Sequence, residues 1–259
     1  MRFRVLTLFP ELFAPVAATT LVGRAVERGL LEIEVRDLRE FTLDKHRSVD
    51  DEPYGGGGGM VMTAQPWIRA VRELSADAQP RRILLSPQGR RLDEAVVREL
   101  ATSHDDFLLL CGRYEGIDQR VLETVVDEEI SIGDFVLSGG ELPAMVLIEA
   151  LSRQIPGVVQ LAGSVENDSF RSGLLDYPHY TRPADFEGRR VPEVLLSGDH
   201  AAIDAWREKE ALRATRRKRP DLLETAPLTP RQRAQLAEVE REEGSRAGKP
   251  AAGTPPDLP

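Results

Sequence analysis

The chain has 259 residues, of which 41% are hydrophobic and 5% aromatic, enough for one large domain or two modest ones around an ordinary core. No run reaches the ~18 apolar residues of a membrane span, Pro10 and Glu11 cut short the apolar start that a secretory leader needs, and a single cysteine excludes an intrachain disulfide or a cysteine-based zinc site. These features fit the cytoplasm. The net charge of −9 argues against nucleic-acid binding when taken alone, but surface charge is screened beyond about 8–10 Å, so local clustering matters more.

Residues 4–8 alternate with an apolar bias and predict a first strand. Residues 13–29 predict a helix, with Leu12, Phe13, Val16, Leu21, Val22 and Val26 at helical spacing and Gly29 as its stop. Residues 31–37 (L-E-I-E-V-R-D) alternate as a second strand, and strand, helix, strand implies a βαβ unit with a parallel sheet. Residues 41–62 are polar and then glycine-rich. The five consecutive glycines at 55–59 can be neither helix nor stable strand. Lys45, His46, Arg47, Asp50, Asp51 and Tyr54 stand just upstream, so a loop closing on a large polar ligand fits better than a plain linker. No Gly-Lys-Ser/Thr follows, which excludes a nucleotide P-loop.

Residues 66–74 predict a helix with Trp67, Ile68, Val71 and Leu74 on one face. Residues 80–85 lead into a buried strand that ends in the turn L-L-S-P-Q-G, 84–89. Residues 92–101 predict a helix with Leu92, Val96, Val97 and Leu100 inward. The apolar run 107–110 is a buried strand entering C-G-R-Y-E-G-I-D, 111–118. A short, partly acidic stretch at 125–130 and an apolar run at 132–137 follow, within and before S-I-G-D-F-V-L-S-G-G-E-L-P, 131–143. Residues 142–155 predict a helix that ends before Pro156. Residues 1–157 thus predict one α/β domain.

Residues 157–183 have little regular pattern but carry Glu166, Asp168, Ser169, Arg171, Asp176, His179, Tyr180 and Arg182. A loop so dense in reactive groups is a site candidate. We take 158–175 as an interdomain loop and 176–243 as a small, mainly α-helical second domain. Asp199 is placed to cap a helix from His200 to about Arg217. Short helices follow at 220–223 and 229–240, the latter with Thr229 as cap and Pro230 at its first position. Residues 244–259 predict a disordered tail. Between Trp206 and Arg219 lie Arg207, Lys209, Arg213, Arg216, Arg217, Lys218 and Arg219, opposed only by Glu208 and Glu210. Such a patch suits phosphate contacts or a solvated helix face.

Three glycine-bearing turns, 84–89, 112–116 and 132–140, follow apolar runs, and strand ends of an α/β sheet are where small ligands bind. They offer mainly backbone groups and apolar walls. No metal-ligand spacing and no dinucleotide fingerprint is present. Such a pocket suits a flat adenosine moiety, as in S-adenosylmethionine, better than a triphosphate. Methyl transfer needs only a nucleophile, its base and alignment with the sulfonium. On these residues alone, a non-catalytic RNA-binding module and a nucleotide hydrolase stay open. Equilibrium binding of S-adenosylmethionine against ATP separates them.

The blocks L-S-P-Q-G at 85–89, C-G-R-Y-E-G-I-D-Q-R at 111–120, the 131–143 block, E-N-D-S-F at 166–170, L-L-D-Y-P-H-Y-T-R-P at 174–183 and V-P-E-V-L-L-S-G-D-H at 191–200 resemble, in order, the bacterial tRNA (guanine-N1-)-methyltransferase family TrmD, of the SPOUT class. The resemblance spans about residues 1–240. It implies a SPOUT-type parallel α/β sheet with a deep trefoil knot in the N-terminal domain and a homodimer with active sites shared between subunits. The implied reaction is methylation of N1 of the guanosine 3′ of the anticodon, position 37 of tRNA. S-adenosylmethionine would lie against Leu85, Ser86, Pro87 and Gly89, against Gly112, Arg113, Tyr114, Glu115 and Gly116, and against Ile132, Gly133, Phe135, Leu137, Gly139, Gly140 and Pro143. Lys45, His46, Arg47, Tyr54, Ser169, Asp176, His179, Arg213, Arg216 and Arg217 would meet tRNA. Glu115 would face magnesium where that ion assists. Two departures stand out: Gly58 occupies a position that is usually proline in the family, and Val165-Glu166-Asn167 precedes Asp168 where Thr-Glu or Glu-Glu is usual.

Guanine N1 carries a proton and is a poor nucleophile, so a general base must take that proton while charge grows on O6. The resemblance assigns Asp168 as the base. A free aspartate, near 3.9, is too weak, so burial or Glu166 nearby should raise it. Arg153 is the partner of the developing O6 charge, and His179 is the second candidate for the base.

Overall fold

The chain divides into two units, Met1–Ala162 and Gly163–Pro259. A computed structural model describes residues 1–159 and 168–247. The expectations for Glu166 and for residues 248–259 lie outside the described residues.

In the first unit the chain runs β1 Arg2–Thr7, α1 Ala14–Ala18, α2 Thr20–Glu27, β2 Glu32–Asp37, β3 Asp50–Asp51, β4 Val61–Met62, α3 Ala64–Leu74, β5 Arg81–Arg91, α4 Glu94–Ser103, β6 Asp106–Cys111, α5 Gln119–Val125, β7 Glu128–Ser131 and α6 Glu141–Ser152. The main sheet has the order β2-β1-β6-β5-β7, and every pairing in it is parallel. Its central strands are apolar on both faces, as a sheet covered on both sides demands. Phe3, Val5, Phe107 and Leu109 pack with Val22 and Ala25 of α2, Val96, Val97 and Leu100 of α4, and Leu147 and Leu151 of α6. The opposite parity, Leu6, Leu108 and Leu110, packs with Trp67 and Val71 of α3 and Val121 and Val125 of α5. The period-two alternation of the strands therefore sorts residues into two layers of core.

Several elements differ from the sequence expectation. The helix expected over 13–29 is broken: Thr19 is extended and Thr20 has φ 61°. Thr19 Oγ1 donates to Pro15 O at 2.6 Å, a local bond that competes with the helix ladder. A Cβ on Gly23 would stand 2.6 Å from the Ala18 carbonyl carbon, so the two short helices pack at their junction. β5 continues to Arg91 beyond the expected turn: its pairing with β7 jumps from Leu85↔Ile130 to Arg90↔Ile130, so 86–89 is an excursion out of a single strand. The last strand of the main sheet is Glu128–Ser131, and the apolar run 132–137 is loop. The helix α5 was not expected, although Asp118 caps it by accepting from Arg120 N at 2.9 Å.

In the second unit a two-strand hairpin, β8 Asp185–Phe186 and β9 Arg189–Arg190, turns through Glu187 (φ 54°) and Gly188 (φ 77°), the pair of left-handed residues that a tight hairpin wants. Helices α7 Glu193–Leu196, α8 His200–Lys218, α9 Pro220–Thr225 and α10 Pro230–Ala247 follow. Asp199 caps α8 through Ala202 N at 3.1 Å. Thr229 and Gln232 cap α10 reciprocally, Thr229 Oγ1 accepting from Gln232 N and Gln232 Oε1 from Thr229 N. α10 reaches Ala247, into the stretch expected to be disordered. Its buried Val239 and its carboxylates, which face α8, hold it there. None of the described helices is long and apolar enough to cross a membrane.

Candidate active site

The excursion of β5 and the segments beyond the C-terminal ends of β6 and β7 surround a cavity of about 240 Å³ in the first unit. From the β5 excursion come Leu85, Ser86 and Pro87; from the turn after β6 come Gly112, Arg113, Tyr114, Glu115 and Gly116. The loop between β7 and α6 adds Ile132, Gly133, Phe135, Leu137, Gly139, Gly140 and Pro143. Gly89 is the one expected cofactor residue outside the lining. It serves packing instead: a Cβ there would overlap the Glu129–Ile130 peptide of the neighbouring strand.

Glycine is required where the turns meet. Gly140 N donates to Gly112 O at 3.0 Å, and a Cβ on Gly140 would come within 2.8 Å of the Cys111 Cα. Arg113 forms a backbone bridge with Gly139. The middle turn is also tied to the glycine-rich loop: Glu115 N donates to Met60 O at 3.1 Å, Met62 N to Gly116 O at 2.9 Å and Asp118 N to Met62 O at 2.9 Å. A Cβ on Gly59 would overlap the Glu115 side chain, so the loop runs against a cavity residue. Tyr114 is held at φ 61°, a left-handed conformation rare for an aromatic residue and typical of functional turns.

Leu84, Gln88, Val136 and Ser138 of the expected turns also line the cavity, whereas sequence reasoning missed Ile117, Gln119, Leu122, Glu129, Ile130 and Ser131. Gln119 and Leu122 belong to α5, and the Asp118 cap signal could have found them. Glu129, Ile130 and Ser131 belong to β7, displaced by the apolar run that follows it.

The remaining expected residues are not among those lining this cavity. Lys45, His46 and Arg47 form an exposed turn in which Asp44 accepts from His46 N and from Ser48 N. Tyr54 is fully exposed. Arg153 follows α6 as its C-cap and is half-buried. Asp168 is half-buried in the second unit, its carbonyl accepting from Arg171 N at 3.2 Å. Ser169 Oγ accepts from Asp176 N at 3.0 Å, and Asp176 Oδ2 lies 2.8 Å from His179 Nε2. The Tyr177 and His179 rings are 4.8 Å apart. Ser169, Asp176 and His179 are thus brought together. Among the described residues no group of three or more His, Cys, Asp or Glu side chains is arranged to hold a metal.

The basic patch has more acidic partners than its own helix supplies. Lys209 pairs with Glu238 and Glu242 at 3.0 and 2.8 Å, Arg213 with Glu210 and Glu242, Arg216 with Glu243 at 3.2 Å, and Arg217 with Glu243 at 2.5 Å. The expectation that only Glu208 and Glu210 oppose the cluster is therefore corrected. The carboxylates come from α10, far along the chain but packed on α8, which a count along one helix cannot see.

The family model described as tRNA (Guanine-1)-methyltransferase TrmD matches residues 1–225. The chain is 54% identical to the tRNA (guanine-N(1)-)-methyltransferase of Aromatoleum aromaticum over 248 residues, 93% of this chain and 94% of the relative. It is 52% identical to the one of Proteus mirabilis over 247 residues (95% and 98%), and 51% identical to the one of Geobacter sulfurreducens over 243 residues (93% and 99%). With the three turns of the resembling blocks gathered around one cavity at the ends of parallel strands, the chain belongs to the TrmD family of tRNA (guanine-1)-methyltransferases.

Proposed function

We propose that this protein transfers a methyl group from S-adenosylmethionine to N1 of the guanosine at position 37 of tRNA. The observation that carries the reading is the cavity: all three glycine turns line it, in a chain of a family whose relatives are named tRNA (guanine-N(1)-)-methyltransferase. The lining fits the donor. Glycine backbone and apolar side chains suit an adenosine, and Gly139 and Gly140 let their segment pack against 111–113, which brings the three turns around one cavity. The donor supplies an electrophilic methyl; the chain supplies alignment. Asp168 takes the N1 proton and Arg153 stabilises the charge growing on O6. Glu115, at the cavity and against Gly59, is the carboxylate that would meet magnesium.

The lacing of 139–140 against 112–113 supports a trefoil knot in the 1–157 domain, since a threaded chain must pass this close to itself. Exposed apolar side chains at the cavity rim and on α6, Phe135, Val136, Leu142 and Val146, support a homodimer with shared active sites. Residues 158–175 then link to a tRNA-binding domain over 176–243, and a tRNA substrate suits the cytoplasm. Lys45, His46, Arg47, Tyr54, Ser169, Asp176, His179, Arg213, Arg216 and Arg217 face the RNA. The test is transfer of tritiated methyl to tRNA transcripts with guanosine or another base 3′ of the anticodon. Label confined to the guanosine transcript is expected; label on both, or on neither, overturns the reading.

A further inference from the structure

Behind the cavity lies a buried carboxylate, the glutamate of the 131–143 block, to which the proposed reaction assigns no role. Glu141, the first residue of α6, is 1% exposed. Its Oε1 accepts from Thr7 Oγ1 at 2.8 Å and from Arg113 Nε at 3.2 Å, and its Oε2 lies 3.0 Å from Arg113 Nη2. Thr7 Oγ1 accepts in turn from Phe9 N at 3.0 Å, and the Arg113 guanidinium sits 4.5 Å from the centre of the Phe9 ring. A Cβ on Gly139 would collide with both Arg113 and Glu141, so the β7–α6 loop closes over the pair. The network therefore pins the end of β1, the turn after β6 and the start of α6 at one point.

Arg113 is the one cation among the described residues lining the cavity; Glu115 and Glu129 are the carboxylates. An uncompensated guanidinium in that wall would repel a cationic ligand, and such repulsion is several times stronger in a partly desolvated site than in water. Glu141 offsets the charge from behind, while the hydrogen bond from Thr7 holds it in place. We propose that Glu141 is a positioning and charge-balancing residue: by pairing Arg113 it keeps the wall receptive to a sulfonium, and so raises the affinity for the charged methyl donor relative to that for its demethylated product. The proposal rests on the reading of the cavity as the S-adenosylmethionine site.

The donor and S-adenosylhomocysteine differ by one methyl and by the charge on sulfur, so their affinity ratio isolates that charge. The experiment is equilibrium binding of both compounds to the full chain, for wild type, Glu141→Gln and the double variant Arg113→Gln/Glu141→Gln. Glu141→Gln is expected to lose roughly tenfold more affinity for the donor than for the product. The double variant, neutral at both positions, is expected to return to the wild-type ratio. A purely structural role weakens both ligands alike, and an unchanged ratio overturns the proposal. Should Glu141→Gln fail to fold, Arg113→Gln against the double variant reads the same carboxylate. Replacing both members of a buried pair is tolerated better than breaking it, and the single variant must then favour the sulfonium form; equal ratios overturn the proposal. Wild type binding neither compound overturns this inference and the cavity reading together, whereas binding of both with one ratio throughout overturns this inference alone.

Discussion

Asp168→Asn preserves shape and most hydrogen bonding but cannot accept the N1 proton. Loss of a general base costs about 10²–10⁴ in rate, so single-turnover methyl transfer at saturating donor and tRNA should fall by that factor. The wild-type rate should rise with pH and level off above the apparent pKa of the base, and the Asn variant should lose that inflection. If Arg153 stabilises O6 as proposed, Arg153→Ala should be slower with the inflection kept, because that role moves no proton. An Asp168→Asn enzyme with the wild-type rate and profile would transfer the role to His179, which Asp176 already holds at 2.8 Å. The glycines of the β7–α6 loop make a second residue-level prediction. A side chain at Gly139 meets the Arg113 and Glu141 side chains, whereas one at Gly140 meets the backbone of β6. Gly139→Val should therefore abolish donor binding in a folded protein. Gly140→Val should in addition lower stability by about 1–3 kcal/mol, the usual cost of overpacking, as read by denaturant unfolding.

At the scale of elements, α5 is tied to the cavity by Gln119 and Leu122, and its start depends on Asp118. The Arg120 guanidinium, donating to both oxygens, holds the Asp118 carboxyl at about 2. A carboxyl depressed on folding stabilises above its unfolded value near 3.9 and loses that contribution as pH falls through the folded value. Asp118→Ala should thus cost about 1 kcal/mol at neutral pH, as a lost cap does, and the gap to wild type should close between about pH 4 and pH 2. The ion pairs between α8 and α10 lead to a prediction on RNA. A free cation that meets a phosphate contributes roughly one unit to the salt slope of binding, but Arg213, Arg216 and Arg217 already share carboxylates. Each of these changed to Ala should lower the slope by less than one unit, and Lys218, without an ion pair among the described residues, by about one if it meets a phosphate. What sequence made legible follows the same division. Strands buried on both faces, the caps at Asp199 and Thr229, and the inward residues of α3 and α4 are local in pattern and were readable. The β5 excursion and the α10 carboxylates on α8 depend on contacts between distant segments, so no window of sequence carries them, while the break at Thr19 rests on a local bond to Pro15 O that the helical spacing of the apolar residues does not reveal. The cavity lay between. Its turns were marked by glycines, but Glu141 and Thr7 are separated by most of the first unit and have no motif to join them.

For the whole molecule, the proposed shared-site dimer leads to a complementation prediction. Arg153 and the cavity residues belong to the first unit and Asp168 to the second. Phe135 and Val136 at the cavity rim are 53% and 83% exposed, and Leu142 and Val146 sit one turn apart on α6 at 58% and 47%. Apolar surface of this kind beside the cavity is costly to leave in water, by about 25 cal/mol per Å², and a second subunit would cover it. In a shared-site dimer, one variant defective only in the cavity and another defective only in the base complement each other. Gly139→Val and Asp168→Ala are each expected to be inactive alone. Mixed after co-refolding, half of the dimers are heterodimers, and each carries one site with an intact cavity from one chain and an intact Asp168 from the other. Half of those dimers with one working site in two predicts recovery of about a quarter of wild-type activity if the sites turn over independently. The measurement is methyl transfer against mixing ratio, with the maximum expected at equal amounts. Activity that stays at the level of the parents at every ratio would mean that each site is built from one chain, and the apolar rim would then need another partner.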